Sequence, residues 1–137
     1  MIKSSQLPKR IQAAISAAVV PKKPVNKYGA QKTKVDCITF DSKAEAIRYQ
    51  LNKIRIASGE MQYQLLQVPM RLPGGVKYVV DFIEVMADGS MVYVDVKGKV
   101  TGQFRDKKKM IEDLYPVQIR CLKLVNYDRM QFQEFQI

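Results

Sequence analysis

The stretch Lys-Tyr-Val-Val-Asp-Phe-Ile-Glu-Val-Met-Ala-Asp-Gly-Ser-Met-Val-Tyr-Val-Asp-Val-Lys-Gly (77–98) constrains the fold more than any other part of the chain. Two runs rich in β-branched and aromatic residues flank Ala87-Asp88-Gly89-Ser90, a pattern that predicts an antiparallel hairpin. Strand side chains alternate between faces, so Asp95 and Lys97 share one face while Val94 and Val96 take the other, apolar one. Register decides whether Asp81 joins them. A three-residue Ala87-Asp88-Gly89 turn with left-handed Gly89 sets Met86 against Ser90 and Asp81 against Asp95; a two-residue Asp88-Gly89 loop sets Asp81 against Val96, on the wrong face.

The flanking segments suggest what covers this hairpin. In DSKAEAIRYQLNKIRIASGE, Ser42 can cap a helix, Ala44, Ile47, Leu51 and Ile54 recur at helical spacing, and Gly59 can end it. Ahead of it, VDCITF from Val35 alternates apolar and polar residues and begins the folded part, with room for one further strand. MQYQLLQVPMRL reads as an extended segment in which Pro69 favours a sheet edge. After the hairpin, Gly102–Leu114 predicts a basic helix closed by Tyr115-Pro116, and VQIRCLKLV a last strand. The order αβββαβ points to an α/β fold, a mixed β-sheet flanked by helices. Within 137 residues this makes one domain, 35–137, behind an arm, 1–34.

The net charge of +10 is concentrated in that arm. Residues 1–35 carry Lys3, Lys9, Arg10, Lys22, Lys23, Lys27, Lys32 and Lys34 with no acid, leaving 15 basic against 13 acidic residues elsewhere. Pro8, Pro21 and Pro24 make the arm irregular apart from a short helix at Ile11–Val20. Such an arm suits phosphate neutralisation on DNA, or is simply a solvated tail. No apolar run approaches the roughly 20 residues that span a bilayer. Lys22 and Lys23, rather than a small-residue cleavage site, follow Ile11–Val20, so the expected location is the cytoplasm, without membrane association. Cys37 and Cys121 make no C-x-x-C pair, and the chain has no histidine, which excludes histidine triads, His-ligated zinc and histidine general bases. Neither a G-x-x-x-x-G-K-[ST] nor a G-x-G-x-x-G loop is present, so no nucleotide cofactor is expected.

Two carboxylates opposed across a hairpin repel each other unless a cation lies between them. Hard oxygen ligands favour magnesium, with manganese as a substitute, and either ion retains waters usable in phosphodiester attack. Lys97 can then orient the attacking water or offset charge on the phosphate. The same residues have plainer readings. Asp95 and Lys97 also suit a surface ion pair, and Asp81 an edge-strand charge, although its neighbours Val79-Val80 and Phe82-Ile83 suggest burial, where an unpaired acid is costly. Glu45 completes a capping-box pattern with Ser42, or reaches a metal or its water from the first helical turn. Lys107, Lys108 and Lys109 with Arg105 form a solvated face or contact phosphate, with Lys99 and Gln103 close to the cleft and Lys22 and Lys23 on the arm.

FDSKAEAIRY, KYVVDF and VYVDVKG resemble the three motifs of the PD-(D/E)XK nuclease superfamily, in their usual order. The closest resemblance is to a family of small phage and prophage proteins of unknown function within it, from about Lys27 to Val125. The resemblance implies a restriction-endonuclease-like core and magnesium-dependent hydrolysis of DNA, with cutting of branched or junction DNA in phage recombination or replication as the leading expectation and a homodimer as the form suited to two strands. By it, Glu45 is the first-helix acid, Asp81 the acid of the PD motif, Asp95 and Lys97 the (D/E)-x-K pair, and the Val96 carbonyl a further metal ligand. The proline expected before Asp81 is Val80 here.

Overall fold

The computed structural model describes residues 31–137; positions 1–30 of the basic arm, with the short helix expected at Ile11–Val20, lie outside the described residues, and the arm's last two positions, Thr33 and Lys34, belong to a strand instead. The chain divides into two compact units between Ala46 and Ile47, inside the first described helix.

In the first unit, strands β1 (Thr33–Val35) and β2 (Ile38–Phe40) pair antiparallel, with Val35 opposite Ile38. VDCITF is therefore a hairpin corner rather than one strand. Asp36 (φ 51°) and Cys37 (φ 65°) both take the left-handed conformation that a two-residue loop demands. Helix α1 (Lys43–Ala57) follows. Ser42 starts it: its Oγ accepts from the Glu45 N–H at 3.2 Å and donates to Glu45 Oε1 at 2.9 Å. This is a capping arrangement in which the same hydroxyl also holds the Glu45 carboxylate.

The second unit is built on a five-stranded mixed sheet in the order β3-β4-β5-β6-β7, with β3 (Met61–Arg71), β4 (Lys77–Met86), β5 (Met91–Val96), β6 (Ile119–Asn126) and β7 (Gln131–Phe135). Pro69 lies on β3, an edge, where its missing N–H costs no ladder bond. β5 and β6 are parallel, which requires a crossover, and α2 (Gly102–Leu114) provides it. Thr101 caps α2 by accepting from the Phe104 N–H at 3.2 Å. β6 is not the last strand: β7 covers its outer side, and its sequence Gln-Phe-Gln-Glu-Phe is polar because an edge strand needs little apolar surface. Among the described residues no helix is long and apolar enough to cross a membrane.

The two sheet faces differ in character. Against α2 lies an apolar core of Tyr78, Val80, Ile83, Val85, Phe104, Ile111, Ile119 and Cys121. The opposite face carries Glu84, on which Arg48, Asn52 and Arg55 of α1 converge. Ile54 was expected on the packed side of α1 but is 57% exposed. The helix is turned so that its polar row at 48, 52 and 55 meets the sheet.

Candidate active site

The hairpin turn sets the geometry. Gly89 has φ 87° and its N–H bonds the Met86 carbonyl at 3.0 Å, while the Met86 N–H bonds the Ser90 carbonyl at 2.8 Å. The β4–β5 register pairs Phe82 with Val94, Ile83 with Tyr93 and Val85 with Met91. The pairing runs to Phe82 and Val94, one residue short of Asp81 and Asp95, and the Val96 N–H beyond it bonds the Asp81 carboxylate. Val94 and Val96 are buried on the other side, as strand alternation demands.

Both acids are buried and each is held by its own donors. Asp81 Oδ2 accepts from the Val96 N–H at 2.9 Å, and Oδ1 from the Gln67 side-chain amide at 3.1 Å. Asp95, 1% exposed, receives the Tyr78 hydroxyl on Oδ2 and has Lys97 Nζ 2.9 Å from Oδ1. That lysine contact is an ion pair off the hydrogen-bonding axis, so buried Oδ1 retains lone-pair capacity. Lys97 Nζ also lies 4.7 Å from the centre of the Phe104 ring, a cation–π contact that fixes its direction.

Burial pushes the Tyr78 phenol far above its ordinary value, with the Asp95 charge adding to it, so Tyr78 remains a donor at any working pH. Burial and the same charge raise the Cys121 thiol to about 11. Cys121 is register partner to Asp95, and a thiol kept protonated adds no second anion beside it. Tyr78→Phe keeps the ring against Phe104 and removes only the hydroxyl, leaving a buried carboxylate oxygen without its donor. The expected loss is about 1–3 kcal/mol in urea unfolding; a change under about 0.5 kcal/mol would mean that water replaces the phenol.

The donor set fits a divalent cation. Asp81 and Asp95 supply hard oxygens of opposite strands, Asp95 Oδ1 is buried without an aligned donor, and the Val96 main chain joins the two strands here. Among the described residues no group of three or more His, Cys, Asp or Glu side chains gathers as a metal cluster. Magnesium keeps several of its waters and needs only one or two carboxylates, so a pair is sufficient.

Residues 25–128 match a family described as a protein of unknown function, DUF1064. The chain belongs to this family. No curated protein and no solved structure matches it.

In this DUF1064 chain the match spans both described helices, the hairpin and β6. Glu45 stands in the first unit, bonded to Ser42. The basic residues of α2 are not equivalent. Arg105 and Lys109 are exposed, as are Lys99 and Gln103. Lys107 donates to the Lys77 carbonyl at 3.3 Å, and Lys108 pairs with Glu112 at 2.8 Å, so these two, both half-buried, have partners within the chain. Lys22 and Lys23 lie outside the described residues. A cavity of about 240 Å³ opens on the opposite sheet face beside Arg48, Arg55 and Arg120, whose charges Glu84 and Glu134 already pair.

Sequence reasoning missed Gln67 and Tyr78. Gln67 had a weak signal, a polar residue inside Leu-Leu-Gln-Val-Pro. Tyr78 had none, since an aromatic in an apolar strand reads as core.

Proposed function

We propose that this DUF1064 chain is a metal-dependent DNA endonuclease of the PD-(D/E)XK superfamily, with a restriction-endonuclease-like core, acting on branched or junction DNA. One observation carries the reading: the Asp81 carboxylate accepts from the Val96 N–H at 2.9 Å, between Asp95 and Lys97, and Lys97 Nζ lies 2.9 Å from Asp95. Two acids and a lysine so arranged are the groups that phosphodiester hydrolysis needs.

Asp81, Asp95 and the Val96 carbonyl would hold the ion, magnesium or manganese. When bound, such an ion supplies Lewis-acid polarisation of a phosphoryl oxygen and lowers the pKa of a water. Lys97, restrained by Phe104, would orient an attacking water or offset charge developing on the phosphate. Tyr78 closes the protein side of Asp95. Among the described residues, exposed Arg105, Lys109, Lys99 and Gln103 are open to phosphates, whose contacts position DNA without reading its sequence. Two copies would serve the two strands of a junction.

The test is cleavage of labelled four-way-junction, flap and linear DNA with magnesium, manganese or EDTA, for the wild type and Asp95→Asn. Expected is metal-dependent cutting, greatest on branched DNA, that falls at least about a hundredfold in the variant while DNA binding persists. The mutual pairing of Asp95 and Lys97 favours one other reading, a DNA-binding protein in which that pair is structural. Salt-sensitive binding without cutting of any substrate would select it.

A further inference from the structure

The hydrogen bond on Asp81 Oδ1 comes from an unusual place. Gln67 has φ 49° in the middle of β3, a conformation in which a residue with a Cβ is strained. The β3–β4 register pairs Leu66 with Phe82 and Val68 with Val80, which brackets Gln67 directly against Asp81. β4 is irregular at the same point: Tyr78 and Val80 enter the α2-side core, and so do Ile83 and Val85, so the alternation of faces slips between Val80 and Ile83. Both strands therefore leave regular geometry at one level of the sheet, and the product is a side-chain amide 3.1 Å from Asp81 Oδ1. Irregularities that re-aim a side chain are common beside active sites, and an observed strained residue is a reason to look for function.

We propose that Gln67 is a positioning residue for metal binding: its left-handed backbone aims its amide at Asp81, which with the Val96 N–H fixes both carboxylate oxygens before the ion arrives. This rests on the metal-dependent reading above. A carboxylate gripped at both oxygens loses little freedom on ligation, and outer partners of this kind typically govern affinity by 10–100-fold. The amide is also neutral, so it orients Asp81 without cancelling the charge that attracts the cation.

A pair of variants separates backbone from side chain. Gln67→Gly and Gln67→Ala both delete the amide, but glycine accepts φ 49° without strain and alanine does not. Full-length protein is titrated with manganese by calorimetry and by the electron paramagnetic resonance signal of the free ion, with unfolding measured in EDTA. Expected is that both variants bind manganese about 10–100-fold more weakly than the wild type and equally so, although Gln67→Gly is the more stable of the two. Gln67→Asn, which tolerates the left-handed backbone but has a shorter arm, should fold and bind as weakly; it carries the test if the alanine variant does not fold. Wild-type affinity in the glycine variant, or affinities that simply follow stability, would overturn the proposal and leave the nuclease reading standing. Wild-type protein that binds no manganese, or Asp81→Asn that binds it normally, would remove the metal reading and this proposal with it.

Discussion

Glu84→Gln is expected to cost about 3–5 kcal/mol, enough to unfold a domain of ordinary stability or leave it barely folded. Glu84 is 1% exposed and receives Arg48 through two bonds, 2.7 Å to Oε1 and 2.9 Å to Oε2. Asn52 adds a donor to Oε1 at 2.9 Å, and Arg55 one to Oε2 at 2.9 Å. Glutamine preserves the shape but leaves the largely buried Arg48 guanidinium without its carboxylate and Arg55 with only the exposed Glu60, 3.2 Å away. The loss is one of balance rather than of attraction, because taking charges out of water offsets most of what their pairing contributes. Replacing Arg48, Arg55 and Glu84 together by methionine should therefore recover most of the stability that Glu84→Gln alone removes. Urea unfolding of the two proteins decides it; a triple variant as unstable as the single one would mean that the ion pairs themselves stabilise the fold.

The same cluster predicts acid sensitivity. Burial alone would raise the Glu84 carboxyl, but the hydrogen bonds and charge of Arg48, with Asn52 and Arg55, outweigh it and hold it below its ordinary value of 4.5. A depressed folded-state value contributes stability that is fully present above the unfolded value and is lost as pH falls towards the folded one. Stability should thus be retained down to about pH 4.5 and decline below it. Glu84→Gln should lack that component of the decline.

Lys97→Ala carries the largest expected effect on activity, a fall of about 10²–10⁴-fold in kcat under the proposed function, the usual contribution of a positioned proton-transfer or charge-stabilising group. Lys97→Arg should not restore it, since a guanidinium is broader than an ammonium and stays charged. DNA binding measured at several salt concentrations should change little, because Lys97 is committed to Asp95 and Phe104 and only 30% of its side chain is exposed. Cutting at the wild-type rate by Lys97→Ala would reduce the lysine to a neutralising partner of Asp95. A matching fall in binding would make it a phosphate contact instead.

Much of the frame was legible because it is set by local chemistry. The Ala87-Asp88-Gly89 turn fixes its own backbone, and the turn fixes register, so the pairing from Met91 with Val85 to Val94 with Phe82 follows from three residues. Pro69 implied an edge strand, and Tyr115-Pro116 the end of α2. What failed locally did so for identifiable reasons. Asp36 and Cys37 turn a corner without glycine, and β7 hides its strand character in a polar sequence. On α1 the apolar spacing suggested a face through Ile54, but the four hydrogen bonds that buried Glu84 accepts turn the helix towards Arg48, Asn52 and Arg55.

The sequence by itself determined that Asp95 and Lys97 share a face: an acid and a lysine two residues apart along an extended strand must do so, whatever surrounds them. Only the tertiary structure decided what holds them. Tyr78 meets Asp95 across 17 residues, Gln67 meets Asp81 across 14, and Arg48 meets Glu84 across 36. Side-chain periodicity extends over a few residues of one element, whereas a buried carboxylate is satisfied by whichever donor the packed sheet and helices bring within about 3 Å of it.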